Sequence, residues 1–500
     1  MIPATPKAGI HKVSFQIVHF IVHQRKVFMQ DIKSLSEKLT TESENTVRKL
    51  GLAEEQCKIL AEYFREEATV LAYLRIEGNL TADIAITAFN WLQKRYPLLR
   101  CNFAEYDSDY NQFDFSHYLS VKEEDRINEV PLTVIPMAGD NHWQEVLDTE
   151  LHTNFPADLN YLWRATLLSG DGIHDLILKV NHAITDGTSW NYLFQNFLTY
   201  CADLAEGCSM PKNFNIDPIL PPLEELLPKQ KNKSLQIRSN NDIKVSPWQY
   251  QMYQPLEKRH TGYILHALNL ENFHNLQQAC EQQNVSLNSA LSVAFINAVN
   301  AVLGEEDRGQ TFRTLCLPLD LRLSCKPKVK PYHLGFFANV IRVVHPVTDR
   351  EKKSDLNPFW DSVRLHQINL MKEIKKYITG YHQTNYKKKR IQRNIFYVLS
   401  ESDKKREFLL GPEVSCPFIK ITEKIRNFEI KKLFFFRPVL SGMYPIRMLV
   451  YPFAKNLNFV FDYTEGLVKN ESVSAIIDIF LETLKEIEES FISTDLSRKV

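Results

Sequence analysis

Asn181-His-Ala-Ile-Thr-Asp-Gly-Thr-Ser-Trp190 is the stretch that decides the fold, because it joins an apolar strand to an amphipathic helix. In residues 175–182, three aliphatic side chains and His182 alternate onto one face, as in a β-strand. The pattern therefore predicts that His182 ends a rigid strand, partly desolvated and next to open space. Such a position suits a general base.

The turn and helix that follow define the surroundings of His182. Asp186-Gly187 is a turn pair, and Thr188 or Ser189 is the expected cap of a helix that runs to about residue 204. A histidine on an apolar face is more often structural than catalytic, so this stretch alone leaves both interpretations open.

The pattern His182-x-x-x-Asp186-Gly187 at a strand-to-helix junction resembles the active-site motif of the CoA-dependent acyltransferase superfamily. That superfamily includes the chloramphenicol acetyltransferase-like enzymes, the alcohol acetyltransferases and the condensation domains of peptide synthetases. Residues 95–100, Arg-Tyr-Pro-Leu-Leu-Arg, follow a predicted strand and helix, and residues 98–103 are predicted to form the next strand. This order is similar to the opening of condensation and alcohol acetyltransferase domains.

The second half of the chain carries a further resemblance. A predicted strand ends in Asp320-Leu-Arg322, and Gly335 and Asn339 precede the next strand. This arrangement looks like the Asp-x-Arg and Gly-x-x-x-Asn region of the same superfamily. Where many condensation domains have a second histidine, this chain has Asn181, as single-histidine members do.

The resemblance implies an α/β fold of two lobes, each like chloramphenicol acetyltransferase, with an active-site tunnel between them. It implies that His182 is the general base. It also implies that Asp186 turns away from His182 to pair with an arginine, for which Arg322 is the candidate. Gly187 would leave room for the substrate, and Asn339 would support the site. The residues that bind the donor are not identified.

The domain organisation follows from composition and pattern. We expect an N-terminal extension over 1–45, a first acyltransferase lobe over 46–208, a proline-containing linker over 209–255, and a second lobe over 256–500. The basic run at 387–393 is interpreted as a solvated surface.

Bulk composition excludes several classes of protein. The 60 basic and 60 acidic residues cancel, so nothing indicates a nucleic-acid partner or an anionic membrane surface. The eight cysteines form no C-x-x-C motif, and we find no clear signal peptide or transmembrane segment. We therefore expect a cytoplasmic protein with reduced thiols, and a monomer.

The predicted function is transfer of an acyl group from acyl-CoA to a small-molecule alcohol or amine, with O-acylation favoured. Acyl-CoA would be a co-substrate, with no bound cofactor and no metal. Two alternatives remain: a stand-alone condensation-like domain that uses a carrier-protein thioester, and a non-catalytic scaffold. A metal hydrolase is a poor third, because no H-E-x-x-H motif occurs. The acceptor and the acyl length stay open.

Overall fold

The computed structural model describes eleven stretches of the chain, and the following text concerns those residues. They are 46–65, 67–106, 116–121, 130–155, 161–209, 215–228, 245–304, 311–347, 356–380, 392–416 and 421–499. The predicted extension over 1–45 lies outside them, as does most of the basic run at 387–393.

Helix starts in the structure follow from side-chain capping. Thr81 Oγ1 accepts the amide of Ile84 at 3.3 Å, so α2 begins where the sequence predicts. The elements of the first half, in chain order, are β1 (Thr46–Lys49), α1 (Leu52–Tyr63), β2 (Thr69–Glu77), α2 (Ala82–Arg95), β3 (Cys101–Tyr106), β4 (Ser116–Val121), β5 (Leu132–Pro136), α3 (His142–His152), β6 (Trp163–Ser169), β7 (Ile173–Asn181), α4 (Gly187–Ala205) and α5 (Leu223–Leu226).

In the second half, Ser286 Oγ accepts the amide of Ser289 at 3.1 Å and starts the long helix α7, which ends at Gly304. The elements here are β8 (His260–Asn269), α6 (Leu270–Gln282), α7 (Leu287–Leu303), β9 (Thr311–Asp320), β10 (Ala338–Val347), α8 (Asn357–Gly380), α9 (Gln392–Lys405), β11 (Glu413–Ser415), β12 (Lys424–Ile425), β13 (Phe428–Phe436), β14 (Ile446–Phe453), β15 (Asn456–Glu465) and α10 (Asn470–Lys499).

Two six-stranded sheets form the two lobes, and this confirms the predicted α/β fold. The first sheet has the order β12-β13-β2-β7-β6-β5, and the second has the order β10-β9-β11-β14-β15-β8. Strands β12 and β13 come from the second half of the chain but complete the first sheet. The division at residues 209–255 stays a prediction, and it does not describe this crossing of chain between the sheets.

Each sheet buries one face beneath helices. In the first lobe, Phe89 of α2 packs between Phe197 of α4 and Trp163 of β6, with ring centroids 4.6 and 5.2 Å apart. In the second lobe, Phe295 of α7 and Phe480 of α10 pack with centroids 5.9 Å apart. Large aromatic side chains dominate the energetics of such cores. Strand β7 pairs with β2 on one side and β6 on the other, so the residues after β7 rest on a central strand.

One sequence prediction about these elements was wrong. Residues 98–103 were expected to be one strand, but Pro97–Arg100 forms a 3-10 turn and the strand begins at Cys101. Proline fixes φ near the helical value, which favours a helical turn at that point.

Described residues of the expected linker, within 215–228 and 245–255, pack against the rest of the fold. Glu224 Oε1 accepts the amide of Leu52 at 2.7 Å, at the start of α1, and Trp248 is 1% exposed. Its basic run, residues 229–233, lies outside the described residues.

Among the described helices, no single one is long and apolar enough to cross a membrane. Only α6 and α7 taken together, bent by 101° at their junction, meet that test by length and composition.

Candidate functional site

His182 stands just beyond the end of β7. The prediction that it lies within the strand was wrong, because the strand ends at Asn181 and His182–Ile184 forms a 3-10 turn. The Asn181 side chain accepts the amide of Ala183 at 2.9 Å and so caps this turn. The His182 amide still donates to the carbonyl of Ala68 at 2.7 Å, which ties the backbone of the turn to the neighbouring chain.

The hydrogen bond made by the imidazole ring assigns its tautomer. Nδ1 of His182 lies 2.7 Å from the carbonyl oxygen of Thr185. A carbonyl only accepts, so Nδ1 carries the proton and Nε2 has the free lone pair. The ring also packs against Phe336, with centroids 4.7 Å apart. His182 is thus held in one orientation, with Nε2 as its basic nitrogen.

His182 lines a cavity of about 500 Å³ between the two sheets. The cavity wall includes Gly187 and Trp190 from the first lobe and Phe336 and Asn339 from the second. A space of this size between lobes is typical of a small-molecule site.

The surroundings of His182 keep its ring neutral. Burial, and secondly the positive charge of Arg437, lower the pKa of His182 to about 4, against the opposing effects of the Thr185 carbonyl and Asp186. At neutral pH the imidazole therefore carries only the Nδ1 proton and no charge, and Nε2 can accept a second proton.

Asp186 begins helix α4 as its N-cap. Its Oδ1 accepts both the amide and the hydroxyl of Ser189 at 2.9 Å. The expectation that Thr188 or Ser189 caps the helix was wrong, because the carboxylate of Asp186 reaches the free amide first and the helix starts at Gly187.

The structure brings Asp186 and Arg322 together across the two lobes. Nη1 of Arg322 donates to Oδ2 of Asp186 at 2.7 Å, and Nη2 donates to Oδ1 at 2.9 Å. The amide of Phe337 donates to Oδ2 at 2.9 Å. Burial alone would raise the pKa of Asp186, but Arg322 and these amides outweigh it and lower the pKa. Asp186 is therefore a buried, fully hydrogen-bonded carboxylate that joins the lobes.

Gly335 and Asn339 lie on the segment that Arg322 and Asp186 fix. Gly335 has φ of +151°, and a Cβ atom there would lie 2.6 Å from the Phe337 ring, so only glycine fits. The Ser189 hydroxyl donates to the Gly335 carbonyl at 3.1 Å. Asn339, in β10, accepts the amide of Val340 through Oδ1 at 2.7 Å and also lines the cavity.

Sequence reasoning missed five polar residues that line the same cavity: Glu413, Arg437, Tyr444, Arg447 and Asp462. A signal for them existed, because three are charged residues within or next to apolar strands, in Phe-Phe-Phe-Arg-Pro, Ile-Arg-Met-Leu-Val and Phe-Val-Phe-Asp-Tyr. Charged residues are rarely buried without a partner or a function.

Four of these residues, Glu413, Arg437, Arg447 and Asp462, form a charged cluster. Nε of Arg447 donates to Oε1 of Glu413 at 3.0 Å, and Nη1 lies 3.5 Å from Oδ2 of Asp462. Burial would raise the pKa of Glu413, but Arg447 and Arg437 lower it. For Asp462 burial prevails over the same two arginines and raises the pKa to about 7.

Among the described residues, no group of three or more His, Cys, Asp or Glu side chains could hold a metal ion. The side chains that line the cavity can supply proton transfer at His182 and polar recognition at the charged cluster.

Comparison with known proteins identifies relatives in sequence and in fold. Residues 65–215 match the family model described as Condensation domain. The nonribosomal peptide synthetase kk1B of Curvularia clavata is 32% identical over 135 residues, which are 27% of this chain and 1% of that protein. The chain thus matches only about a hundredth of that relative's length.

Solved structures share the fold over nearly the whole chain. The epimerization domain of the third module of tyrocidine synthetase B has a TM-score of 0.63 at 16% identity, covering 90% of this chain and 99% of that domain. The trichothecene 15-O-acetyltransferase TRI3 of Fusarium sporotrichioides has a TM-score of 0.64 at 10% identity, covering 88% and 95%. The condensation-domain match over residues 65–215 confirms the resemblance predicted from the His182 motif, and the solved structures confirm the two-lobed fold.

Proposed function

We propose that the protein is an acyltransferase that moves an acyl group from acyl-CoA to the hydroxyl of an alcohol, with His182 as general base. The observation that carries the proposal is the state of the His182 ring. Burial lowers the pKa of His182, its Nδ1 proton is bound to the Thr185 carbonyl, and the ring borders a cavity between two lobes. A base held in one orientation beside a substrate-sized space is what direct acyl transfer needs.

In the proposed mechanism, Nε2 of His182 takes the proton of the acceptor hydroxyl while the oxygen attacks the thioester carbonyl. The C–O bond forms, and the carbonyl electron pair moves to oxygen as a tetrahedral oxyanion. The oxyanion then re-forms the carbonyl, the C–S bond breaks, and His182 returns its proton to the departing thiolate. A positioned base contributes about 3–5 kcal/mol of barrier reduction.

Asp186 has a positioning role in this proposal. Its two oxygens are occupied by Arg322 and by the amides of Ser189 and Phe337, while the His182 ring is bound to a carbonyl instead. Asp186 would hold the turn that carries His182 and would not take up a proton. The pair with Arg322 fixes the separation of the lobes, and catalysis tolerates only small errors in such geometry.

The donor has two candidates. The fold shared with an O-acetyltransferase supports acyl-CoA, the donor proposed here. The condensation-domain match supports the alternative, a carrier-protein thioester. Either donor presents the same thioester to His182. We also propose that the protein works as a cytoplasmic monomer without a bound cofactor.

The test is release of the donor thiol, followed with a thiol-reactive dye. A panel of acyl-CoAs would be mixed with pooled alcohols and amines, using the wild type, His182→Ala and a matched control, His274→Ala. His274 is exposed on α6 and does not line the cavity. Release that needs an acceptor and His182, but not His274, would support the proposal.

Release from a carrier-bound acyl thioester but not from acyl-CoA would favour the second donor. Equal rates for wild type and His182→Ala would overturn the mechanism, and no release from either donor would favour a non-catalytic scaffold.

A further inference from the structure

The wall of the cavity holds a buried charged cluster that the proposed mechanism does not use. Glu413, Arg447 and Asp462 are 1%, 5% and 2% exposed, and Arg437 lies within 3.8 Å of Glu413. All four line the same cavity as His182. Arg437 is half-buried, with its side chain 21% exposed. Burial of two carboxylates and the Arg447 guanidinium is costly, and a cluster made only for stability would satisfy all its polar atoms.

This cluster leaves three polar atoms unsatisfied. Oε2 of Glu413, Oδ1 of Asp462 and Nε of Arg437 are buried and have no hydrogen-bond partner within 3.5 Å among the described residues. The Tyr444 hydroxyl and the Arg437 amide interact with the carboxyl groups of Glu413 and Asp462, respectively. Buried polar atoms in folded proteins are nearly always paired, so each of these needs a water or a ligand group. Oε2 of Glu413 accepts a hydrogen bond, and Nε of Arg437 donates one. Oδ1 of Asp462 accepts a hydrogen bond when the carboxyl group is ionised.

The chemistry of the three atoms selects the kind of group that would bind. A hydroxyl both donates and accepts, so it can satisfy a carboxylate oxygen and the Nε–H of Arg437 together. An ammonium group only donates hydrogen bonds, and the two arginines would repel its positive charge. A carboxylate or phosphate only accepts hydrogen bonds, and the two carboxylates would repel its negative charge. The charges of the three buried residues and of half-buried Arg437 cancel when all are ionised, so the cluster gives a neutral group no electrostatic penalty.

Resting on the proposed function, we infer that the acceptor is a polyhydroxylated alcohol. One hydroxyl would be acylated at His182. A second would donate to Oε2 of Glu413 and accept from Nε of Arg437, and from Asp462 when that carboxyl is protonated. Arg342 also lines the cavity, but it is exposed and lies outside the buried set. The cluster would thus distinguish a diol from a simple alcohol of the same length.

The test compares straight-chain α,ω-diols with the corresponding primary alcohols. Acetyl-CoA is the donor, and the measured quantity is the ratio of kcat/KM for the diol to that for the alcohol. A hydrogen bond to a charged group is worth about ten- to hundredfold, so we expect a wild-type ratio of that size for at least one chain length. Glu413→Gln, which keeps the shape but removes the charge, should lower the ratio about tenfold or more.

The matched control removes a buried carboxylate elsewhere. Asp175 accepts from Arg75 at 2.8 Å and from the Tyr73 hydroxyl at 2.9 Å, and it does not line the cavity. Asp175→Asn should weaken the fold but leave the ratio of diol to alcohol as in the wild type. A ratio is unaffected by a smaller folded fraction, so a partly unfolded Glu413→Gln protein still gives an answer.

Binding without turnover separates this inference from the proposed function. Diol and alcohol binding to the wild type would be measured by ligand-observed NMR in the absence of donor. Tighter binding of the diol that Glu413→Gln abolishes would support the inference even if no thiol were released, and the failure would then belong to the proposed function. Equal binding of diol and alcohol, or a ratio that Glu413→Gln does not change, would overturn it and assign water to the three atoms.

Discussion

Removing the arginine from the pair Asp186–Arg322 should be strongly destabilising. In Arg322→Met the methionine fills much of the same space, but Asp186, 1% exposed, loses two hydrogen bonds at 2.7 and 2.9 Å. Breaking a buried pair by removing one partner costs about 3–5 kcal/mol, because the remaining charge stays buried without compensation. The amides of Ser189 and Phe337 still contact the carboxylate, so we expect a loss toward the lower end, about 3 kcal/mol.

The assay is urea unfolding followed by tryptophan fluorescence, with Arg364→Met as the matched control. Arg364 pairs with Asp361 at 2.8 Å, but their side chains are 42% and 75% exposed. An exposed pair of this kind contributes about 0–1 kcal/mol. The two variants remove the same group from a pair of similar length, so their difference isolates the effect of burial.

The pH dependence provides an independent check. In the wild type the pKa of Asp186 is lowered, so its contribution is present above about pH 4 and is lost as the pH falls below that. In Arg322→Met burial acts without the arginine and raises this pKa, so Asp186 takes up a proton at mild acidity. The difference in free energy of unfolding between the wild type and Arg322→Met should therefore shrink as the pH falls from 7 toward about 4. A loss below about 1 kcal/mol at pH 7, or a deficit that grows on acidification, would refute the reasoning.

Three further predictions concern histidines. His182→Ala should lower kcat/KM for thiol release about a hundred- to ten-thousandfold with an unchanged circular dichroism spectrum, and a loss below tenfold would rule out the general base. Because the pKa of His182 is lowered to about 4, kcat/KM in the wild type with a simple primary alcohol, which has no second hydroxyl for the cluster around Asp462, should stay level down to about pH 5 and fall below about pH 4. An inflection near 6.5 with that acceptor would contradict this environment. His345 and His366 are buried, and their pKa values are lowered to about 3 and about 4, so stability should decline as the pH falls below about 6.5. His366→Leu should flatten that decline by up to about 1.4 kcal/mol per pH unit, and an unchanged slope in urea titrations would show that His366 does not contribute.

Local pattern predicted the elements that carry the site. The alternation before His182 indicated β7. Thr81 marked a helix start and Gly304 a helix end, and Ser286 was one of two candidates for the start of α7, because these caps involve neighbouring residues. The order of elements, together with the motif, was enough to predict the two-lobed fold.

What the sequence could not predict depends on contacts between distant segments. Asp186, and not Thr188 or Ser189, caps α4, and an arginine 136 positions later binds the same carboxylate. The charged cluster joins Glu413, Arg447 and Asp462 from three neighbouring strands, and no spacing in the chain reveals that neighbourhood. Each of these residues looked like an ordinary charge in a strand until β11, β14 and β15 were side by side.

The crossing of β12 and β13 into the first sheet has a consequence for biosynthesis. Backbone groups of β2 pair with β13 from Glu77–Glu429 to Leu71–Phe436, so the first sheet has an open edge until residue 436 has left the ribosome. Such an edge is a template for pairing with other chains. Ribosome-bound chains that end before β12 should therefore need a chaperone to stay soluble. A separate peptide spanning residues 421–436 should pair with β2 and remove the need for that chaperone.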